Sequence, residues 1–251
     1  MTTSPSAQDR ARAGAWMAAG SGAIGLLGLG RAMALSGAGG PAMTAAAALV
    51  YVTVMALVIW SVTRRHPHGR FGPANQITVV RVVLTAFVLG AAVQRPTSSL
   101  AWWIIGLTAI AAALDGVDGW LARRTRLHSP FGARFDMEID ALLTLALSLM
   151  VWRFGKAGAW VLACGLMRYA FVAARRVWPW LGGPLSPTVR GKTVAVLQFV
   201  GLGAALVPPV RPPASSAIAA LTLAALAWSF GLDIRRLWVA DRITRKGRSA
   251  D

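Results

Sequence analysis

Long apolar runs separated by short polar and basic stretches dominate the chain. An α-helix needs roughly 20 mostly apolar residues to cross the hydrocarbon core of a membrane. Turn-forming stretches at 95–98, 182–184 and 208–209 mark where such helices stop. The pattern predicts an all-α polytopic membrane protein with eight spans, at about 13–30, 43–62, 77–94, 99–118, 136–152, 157–175, 190–208 and 214–232.

The first apolar run has two interpretations. It is rich in Gly and Ala, Arg10 and Arg12 precede it, and Ala32-Met33-Ala34 follows it, as in a cleaved signal peptide. Arg31 would then stand beside the cleavage site, which is unusual for a signal and favours a retained helix. Either choice leaves the rest of the topology unchanged.

Composition agrees with a membrane protein. Of 251 residues, 56% are hydrophobic and only 14% are charged, which is far from the balance of a soluble domain. The net charge is +17, but the basic residues lie between apolar runs and not on one soluble face. This placement favours phosphate groups at a membrane surface over nucleic acid. A single cysteine, Cys164, excludes both a disulfide framework and a cysteine metal site.

Basic residues are distributed unequally between the two sets of loops, and cytoplasmic loops are the richer ones in membrane proteins. The poorer side holds only Arg31, Arg95, Arg153, Lys156 and Arg211. We therefore expect the other side to be cytoplasmic, together with both termini if all eight spans form. That side collects Arg64, Arg65, Arg70, Arg123, Arg124, Arg126, Arg134, Arg175, Arg176, Arg190, Lys192 and the tail from Arg235 to Arg248.

Acidic residues are concentrated in one short stretch. Five of the nine lie between positions 115 and 140, and ionisable groups at membrane depth are functional by default because they are costly there. Asp115 and Asp118 are three residues apart, and Asp136 and Asp140 are four apart, so each pair shares one helix face. The short connection at 124–131 would bring the two faces together.

Four convergent carboxylates point to a metal site, because like charges raise each other's pKa unless cations are bound. Ligation by oxygen alone indicates Mg²⁺ or Mn²⁺, with Ca²⁺ as a third option. His66, His68 and His128 lack zinc-site spacing. The alternative is that the carboxylates only pair with neighbouring arginines, but buried ion pairs are poor stabilisers.

A longer pattern includes these carboxylates and resembles the full signature of the CDP-alcohol phosphotransferases. The resemblance covers about residues 71–232 and implies a six-helix transmembrane core plus two additional N-terminal spans. The chain would divide into an extension at 1–64, a cytoplasmic juxtamembrane segment at 65–76, a catalytic core at 77–232 and a basic tail at 233–251. The matching residues are Asp115-x₂-Asp118-Gly119-x₂-Ala122-Arg123-x₈-Gly132-x₃-Asp136-x₃-Asp140.

The resemblance implies the transfer of a phosphatidyl-type group from a CDP-linked lipid to an alcohol, with release of CMP. We expect the lipid to be CDP-diacylglycerol. Asp115, Asp118 and Asp136 would bind two divalent cations, Mg²⁺ or Mn²⁺. Asp140 would contribute to the metal site and act as general base. Family members are often homodimers, and the active site would face the cytoplasm of an inner or plasma membrane.

Five residues are expected to contact the CDP group. Asn75 and Thr78 belong to a stretch that resembles the family's Asn-x-x-Thr-x-x-Arg, which here ends at Arg81, and these three positions share one helix face. Taken alone, Asn75 is a typical helix cap. The remaining donor residues implied by the resemblance are Gly119, Arg123 and Ser129.

The acceptor side is predicted from three basic residues. Arg168 lies inside an apolar run, where an Arg is functional by default. Arg190 and Lys192 precede Thr193 and partly resemble a Gly-Lys-x-Lys-Thr stretch of some members; membrane-interface anchoring is the alternative. Three cations suggest a phosphorylated polyol, with glycerol 3-phosphate ahead of inositol phosphate.

Two other functions fit the carboxylates. A metal-dependent phosphatase or pyrophosphatase would use water as the acceptor, which an Arg-lined pocket disfavours. A divalent-cation transporter would place its carboxylates near the bilayer midplane, whereas Asp115 to Asp140 flank a basic loop.

Overall fold

The computed structural model describes residues 7–65, 73–125, 130–184 and 188–248, and these residues form helices and connections without a strand. Short 3₁₀ turns at 91–93, 159–162 and 179–182 join some of the helices. The α-helices of the described residues are α1 (Ala7–Leu35), α2 (Pro41–Arg65), α3 (Pro73–Gly90), α4 (Ser98–Thr125), α5 (Pro130–Arg153), α6 (Ala163–Val177), α7 (Val189–Leu206) and α8 (Ala214–Arg248).

Six of these helices are long and apolar enough to cross a membrane: α1, α2, α3, α4, α7 and α8. The other two predicted spans, 136–152 and 157–175, do not meet this standard. Helix α5 is long enough but carries Asp136, Glu138 and Asp140 in its first half. Helix α6 has 15 residues, or about 22 Å at 1.5 Å per residue, which is shorter than the hydrocarbon core. The eight-span arrangement therefore stays a prediction.

Helix α3 lies at the centre of the bundle. Within its apolar span 67% of the residues are buried, against at most 39% in the other candidate spans. Its buried Val82, Val83 and Phe87 belong to the main apolar core, and it packs against α1, α2, α4 and α5. Any side chain on α3 that faces α4 and α5 is consequently cut off from solvent.

The two N-terminal helices are part of the same packed body. The Tyr51 hydroxyl of α2 donates a hydrogen bond to the Ala19 carbonyl of α1 at 2.6 Å. Gly22 lies so close to this tyrosine that an added Cβ would stand 2.3 Å from its hydroxyl oxygen, and 3.0 Å from a methyl group of Val79 on α3. Small residues thus allow α1 and α2 to approach each other and α3.

A buried lysine ties the loops together at one end of the bundle. Lys156, expected from the sequence as a charge of the poorer side, has its ammonium group within hydrogen-bonding distance of three carbonyls, those of Val207, Pro208 and Val210, at 3.0, 3.1 and 2.5 Å. These carbonyls follow the last turn of α7, where a cation is favourable. The Lys156 carbonyl in turn accepts from the hydroxyls of Ser215 and Ser216 on α8.

The same end also joins the other loops that were predicted to be external. Arg153 donates to the Gln94 carbonyl at 3.3 Å, so the connections near 94, 154 and 208 lie together. Helix α8 is the longest of the described helices. Its 35 residues correspond to about 52 Å, well over the thickness of a hydrocarbon core.

A close backbone contact between α5 and α6 supplies a stability test. At Gly165 of α6 an added Cβ would lie 2.3 Å from the Leu145 Cα of α5. Gly165→Ala should therefore force the two backbones apart and lower the melting temperature by several degrees, since overpacking costs about 1–3 kcal/mol. The matched control is Gly106→Ala, because no atom lies within 4 Å of its added Cβ. Equal melting of the two variants would contradict the α5–α6 packing.

Candidate active site

Three of the four predicted metal ligands lie together in the structure. Asp115 comes from α4, and Asp136 and Asp140 come from successive turns of α5. One carboxylate oxygen of each lies within 4.8 Å of the other two. The predicted convergence across the connection between α4 and α5 is therefore present for this carboxylate triad, which we define as Asp115, Asp136 and Asp140.

The apolar pattern of α5 explains why its two aspartates face inward together. Phe135, Ile139 and Leu143 recur every four residues and are buried, which fixes the side of α5 that faces α3. Asp136 and Asp140 each follow one of these residues, so they lie at the edge of the buried face. Their side chains are 33% and 25% exposed.

Arg81 lies at the centre of the triad. Its Nη1 is 3.1 Å from Asp115 Oδ1 and also contacts Asp136 Oδ1, while Nη2 contacts Asp140 Oδ1. The arginine side chain is fully buried. One guanidinium thus bridges carboxylates from two helices, in the planar fork geometry that suits arginine.

Two predicted donor residues lie on the same helix as Arg81. Asn75 and Thr78 are 8% and 3% exposed, and their spacing of three residues places them on the α3 face that ends at Arg81. Buried polar groups of this kind have hydrogen-bonding partners as a rule. The prediction that 75, 78 and 81 form one polar face agrees with their burial.

The triad suits a hard divalent cation. All of its candidate ligand atoms are carboxylate oxygens, which Mg²⁺, Mn²⁺ and Ca²⁺ prefer. Since one oxygen of each carboxylate lies within 4.8 Å of the other two, the triad is a candidate site for one such ion.

Several predicted site residues cannot be placed. Asp118, Gly119 and Arg123 belong to the last turns of α4, but their side chains lie outside the described part of the structure. Ser129 lies outside the described residues altogether. Their predicted roles in binding metal and CDP stay predictions.

Of the three basic residues predicted to bind the acceptor, two pair with a carboxylate and the third is exposed. Arg168 pairs with Glu138 of α5 at 2.5 Å. Arg190 contacts Asp233 of α8 and lies 5.9 Å from the Trp228 ring centre. Lys192 is exposed. No contact between these residues and the triad is recorded among the described side chains.

The sequence analysis did not predict the ion-pair roles of three residues, Arg81, Glu138 and Asp233. The role of Arg81 had a detectable signal: an arginine within Val79-Val80-Arg81-Val82-Val83 needs a buried partner, and the acidic cluster was the available one. Glu138 and Asp233 had weaker signals. Glu138 lies within a predicted apolar run and Asp233 directly follows another, but nothing in the sequence says which arginine each would meet.

Comparison with known proteins decides the family. The sequence profile described as CDP-alcohol phosphatidyltransferase matches residues 71–232, more than half of the chain. The chain belongs to this family. The match begins just before α3 and ends within α8, so it contains the triad and Arg81, and it leaves α1 and α2 outside.

Two curated relatives are similar to part of the chain. Both are named CDP-diacylglycerol--glycerol-3-phosphate 3-phosphatidyltransferase. The protein of Pseudomonas fluorescens is 37% identical over 107 residues, which are 41% of this chain and 54% of the relative. That of Bacillus subtilis is 30% identical over 112 residues, 44% and 57% of the two lengths. The chain thus spans little more than half the length of these relatives. No solved structure matches it significantly.

Proposed function

We propose that this membrane protein transfers a phosphatidyl group from CDP-diacylglycerol to glycerol 3-phosphate and releases CMP, as a step of phospholipid biosynthesis. The observation that carries the proposal is the carboxylate triad bridged by Arg81 inside the region that matches the family. The names of both curated relatives support the donor and the acceptor.

The chain's own residues fit this reaction. The acceptor hydroxyl would attack the phosphorus that carries the diacylglycerol, and the bond from that phosphorus to the CMP oxygen would break. Asp140 would accept the proton of the hydroxyl, whose pKa is far above neutral. Two divalent cations, Mg²⁺ or Mn²⁺, held by Asp115, Asp118, Asp136 and Asp140, would supply neutralisation of the pyrophosphate charge.

The donor would lie along the α3 face of Asn75 and Thr78, and Gly119, Arg123 and Ser129 would complete its pocket. A buried amide and hydroxyl can fix the orientation of a nucleotide without adding charge. A glycine at 119 allows backbone to approach the ligand closely. Arg123 would bind the pyrophosphate with two parallel hydrogen bonds.

The acceptor phosphate would be bound by Arg168, Arg190 and Lys192. The structure gives this part of the proposal a specific constraint. Arg190 already contacts Asp233 and Arg168 already pairs with Glu138, so an incoming phosphate would have to share these cations with their carboxylates. Lys192, which is exposed, is the most accessible of the three.

The active site would face the cytoplasm, and the protein would act as a homodimer in the inner or plasma membrane. Lys156 and Arg153 draw together the loops of the Arg-poor side, so these loops share one end, as the charge distribution predicts. The triad lies in the second half of α4 and the first half of α5, which turns it toward the Arg-rich end.

The metal-site assignment is tested by replacing each of the four aspartates with Asn, which keeps the volume and removes the charge. CMP release in detergent should fall by about 10²-fold or more for each variant, because the cation loses a charged ligand and Asp140→Asn also removes the base. Asp241→Asn on α8 is the control and should keep the normal rate. An Asp118→Asn variant with full activity would refute the assignment. Unchanged CMP release in EDTA would refute metal dependence.

The acceptor assignment is tested by a matched set of variants at the α7–α8 contact. Lys192→Gln and Arg190→Gln should each raise the KM for glycerol 3-phosphate roughly 10-fold, with little change in the KM for CDP-diacylglycerol, because charged hydrogen bonds to phosphate are lost. Asp233→Asn keeps Arg190 and should raise the acceptor KM less. Equal effects of Arg190→Gln and Asp233→Asn would identify their ion pair as purely structural. Robust transfer to serine but not to phosphorylated acceptors would exclude this acceptor class.

The orientation is tested by cysteine labelling in a Cys164→Ser background. Single cysteines near residues 70, 126, 182 and 240 should be protected from an impermeant reagent in intact cells, whereas those near 96, 154 and 211 should react. The reason is the excess of Lys and Arg on the first set of loops. External labelling at position 126 would contradict both the orientation and the use of a cytoplasmic donor.

A further inference from the structure

Arg81 is a buried positive charge in a strongly apolar helix. Its side chain has no solvent exposure, and its neighbours along α3 are Val79, Val80, Val82 and Val83. Removing a guanidinium from water costs several kcal/mol unless close negative charges and hydrogen bonds replace the solvent. The carboxylate partners therefore stabilise the residue in this position.

The partners come from two different helices. Asp115 belongs to α4, and Asp136 and Asp140 belong to α5. Two guanidinium nitrogens are enough for all three, since Nη1 contacts Asp115 and Asp136 and Nη2 contacts Asp140. One side chain on α3 thereby links the charged parts of three helices.

The arrangement has a buried side and an open side. The guanidinium is fully buried, whereas the side chains of Asp115, Asp136 and Asp140 are 35%, 33% and 25% exposed. Arg81 therefore lies beneath the carboxylates, on the protein side. The contact given for each aspartate is with its Oδ1 atom.

We propose that Arg81 is a positioning residue: a permanent counter-charge that holds the triad together before metal binds and stays beneath it afterwards. The proposal rests on the metal-dependent function proposed above. The triad and Arg81 together carry a formal charge of −2, which one divalent cation offsets. With Asp118 and two divalent cations the formal charge becomes +1, and this residual positive charge favours an anionic pyrophosphate donor.

The test compares stability with and without metal, because a structural arginine and a counter-charge differ in that comparison. Arg81→Gln should lower the melting temperature of the purified protein in EDTA by on the order of 10 °C, since three like charges then remain close together without a counter-charge. Saturating Mn²⁺ should then raise the melting temperature more in Arg81→Gln than in the parent protein. In the variant, the cation alone offsets the repulsion within the triad.

Three further variants complete the design. Arg153→Gln makes the same substitution at the other end of α5 and should leave the Mn²⁺-induced shift at its parent value. Arg81→Lys keeps the charge but not the two-nitrogen fork, so its melting temperature in EDTA should fall between those of the parent and Arg81→Gln. Adding Asp140→Asn to Arg81→Gln removes one repelling carboxylate and should recover part of the lost stability, including expression if the single variant does not fold.

Any one of three results would overturn the proposal. The first is an Arg81→Gln variant with the melting temperature of the parent in EDTA, and the second is an equal Mn²⁺-induced rise in melting temperature in both proteins. The third is that Arg81→Gln and Asp140→Asn change the melting temperature additively. None of these measurements uses a lipid or nucleotide substrate. Failure of the proposed transfer reaction would therefore appear as absent CMP release with normal Mn²⁺ stabilisation, and it would not be confused with failure of the counter-charge.

Discussion

The balance of charge around one buried guanidinium constrains the whole bundle. Arg81 can occupy the centre of an apolar helix only because Asp115, Asp136 and Asp140 surround it. This requirement fixes the rotation of α4 and α5 about their axes and their height along α3. Helix α3 packs against four other helices, so the charge is shielded from lipid as well as matched.

Much of this organisation is present in the sequence, because it depends on local spacing. Apolar length predicts the helices, and spacings of three and four residues predict that Asp136 and Asp140 share a face. What spacing could not supply is distance in space. Glu138 lies between the two aspartates in the chain, yet it turns away to Arg168; Asp233 is 43 residues from its partner Arg190. Such pairs are set by how helices pack, and a single sequence does not encode them in a readable pattern.

Spans that were predicted only from the length of an apolar run agree less well with the structure. The run at 157–175 is apolar enough to suggest a span, but a 3₁₀ turn occupies residues 159–162 and the helix proper has 15 residues. Lys156, just before that run, was predicted as a loop charge and does lie in the connection after α5; its contacts with the carbonyl groups that follow α7 were not predicted. Hydropathy measures how apolar a stretch is and carries no information about where the backbone changes its helical geometry or where a lysine finds carbonyl groups.

The hydrogen bonds around Lys156 also hold the helices together at one end of the bundle. Three carbonyls after α7 and two serines of α8 meet at Lys156, so separating α5, α7 and α8 at this end would break several buried hydrogen bonds at once. At the far end α7 and α8 are joined by the ion pair of Arg190 and Asp233. The contact between α7 and α8 is thus held at both ends by a basic side chain, through carbonyl groups at one end and through a carboxylate at the other.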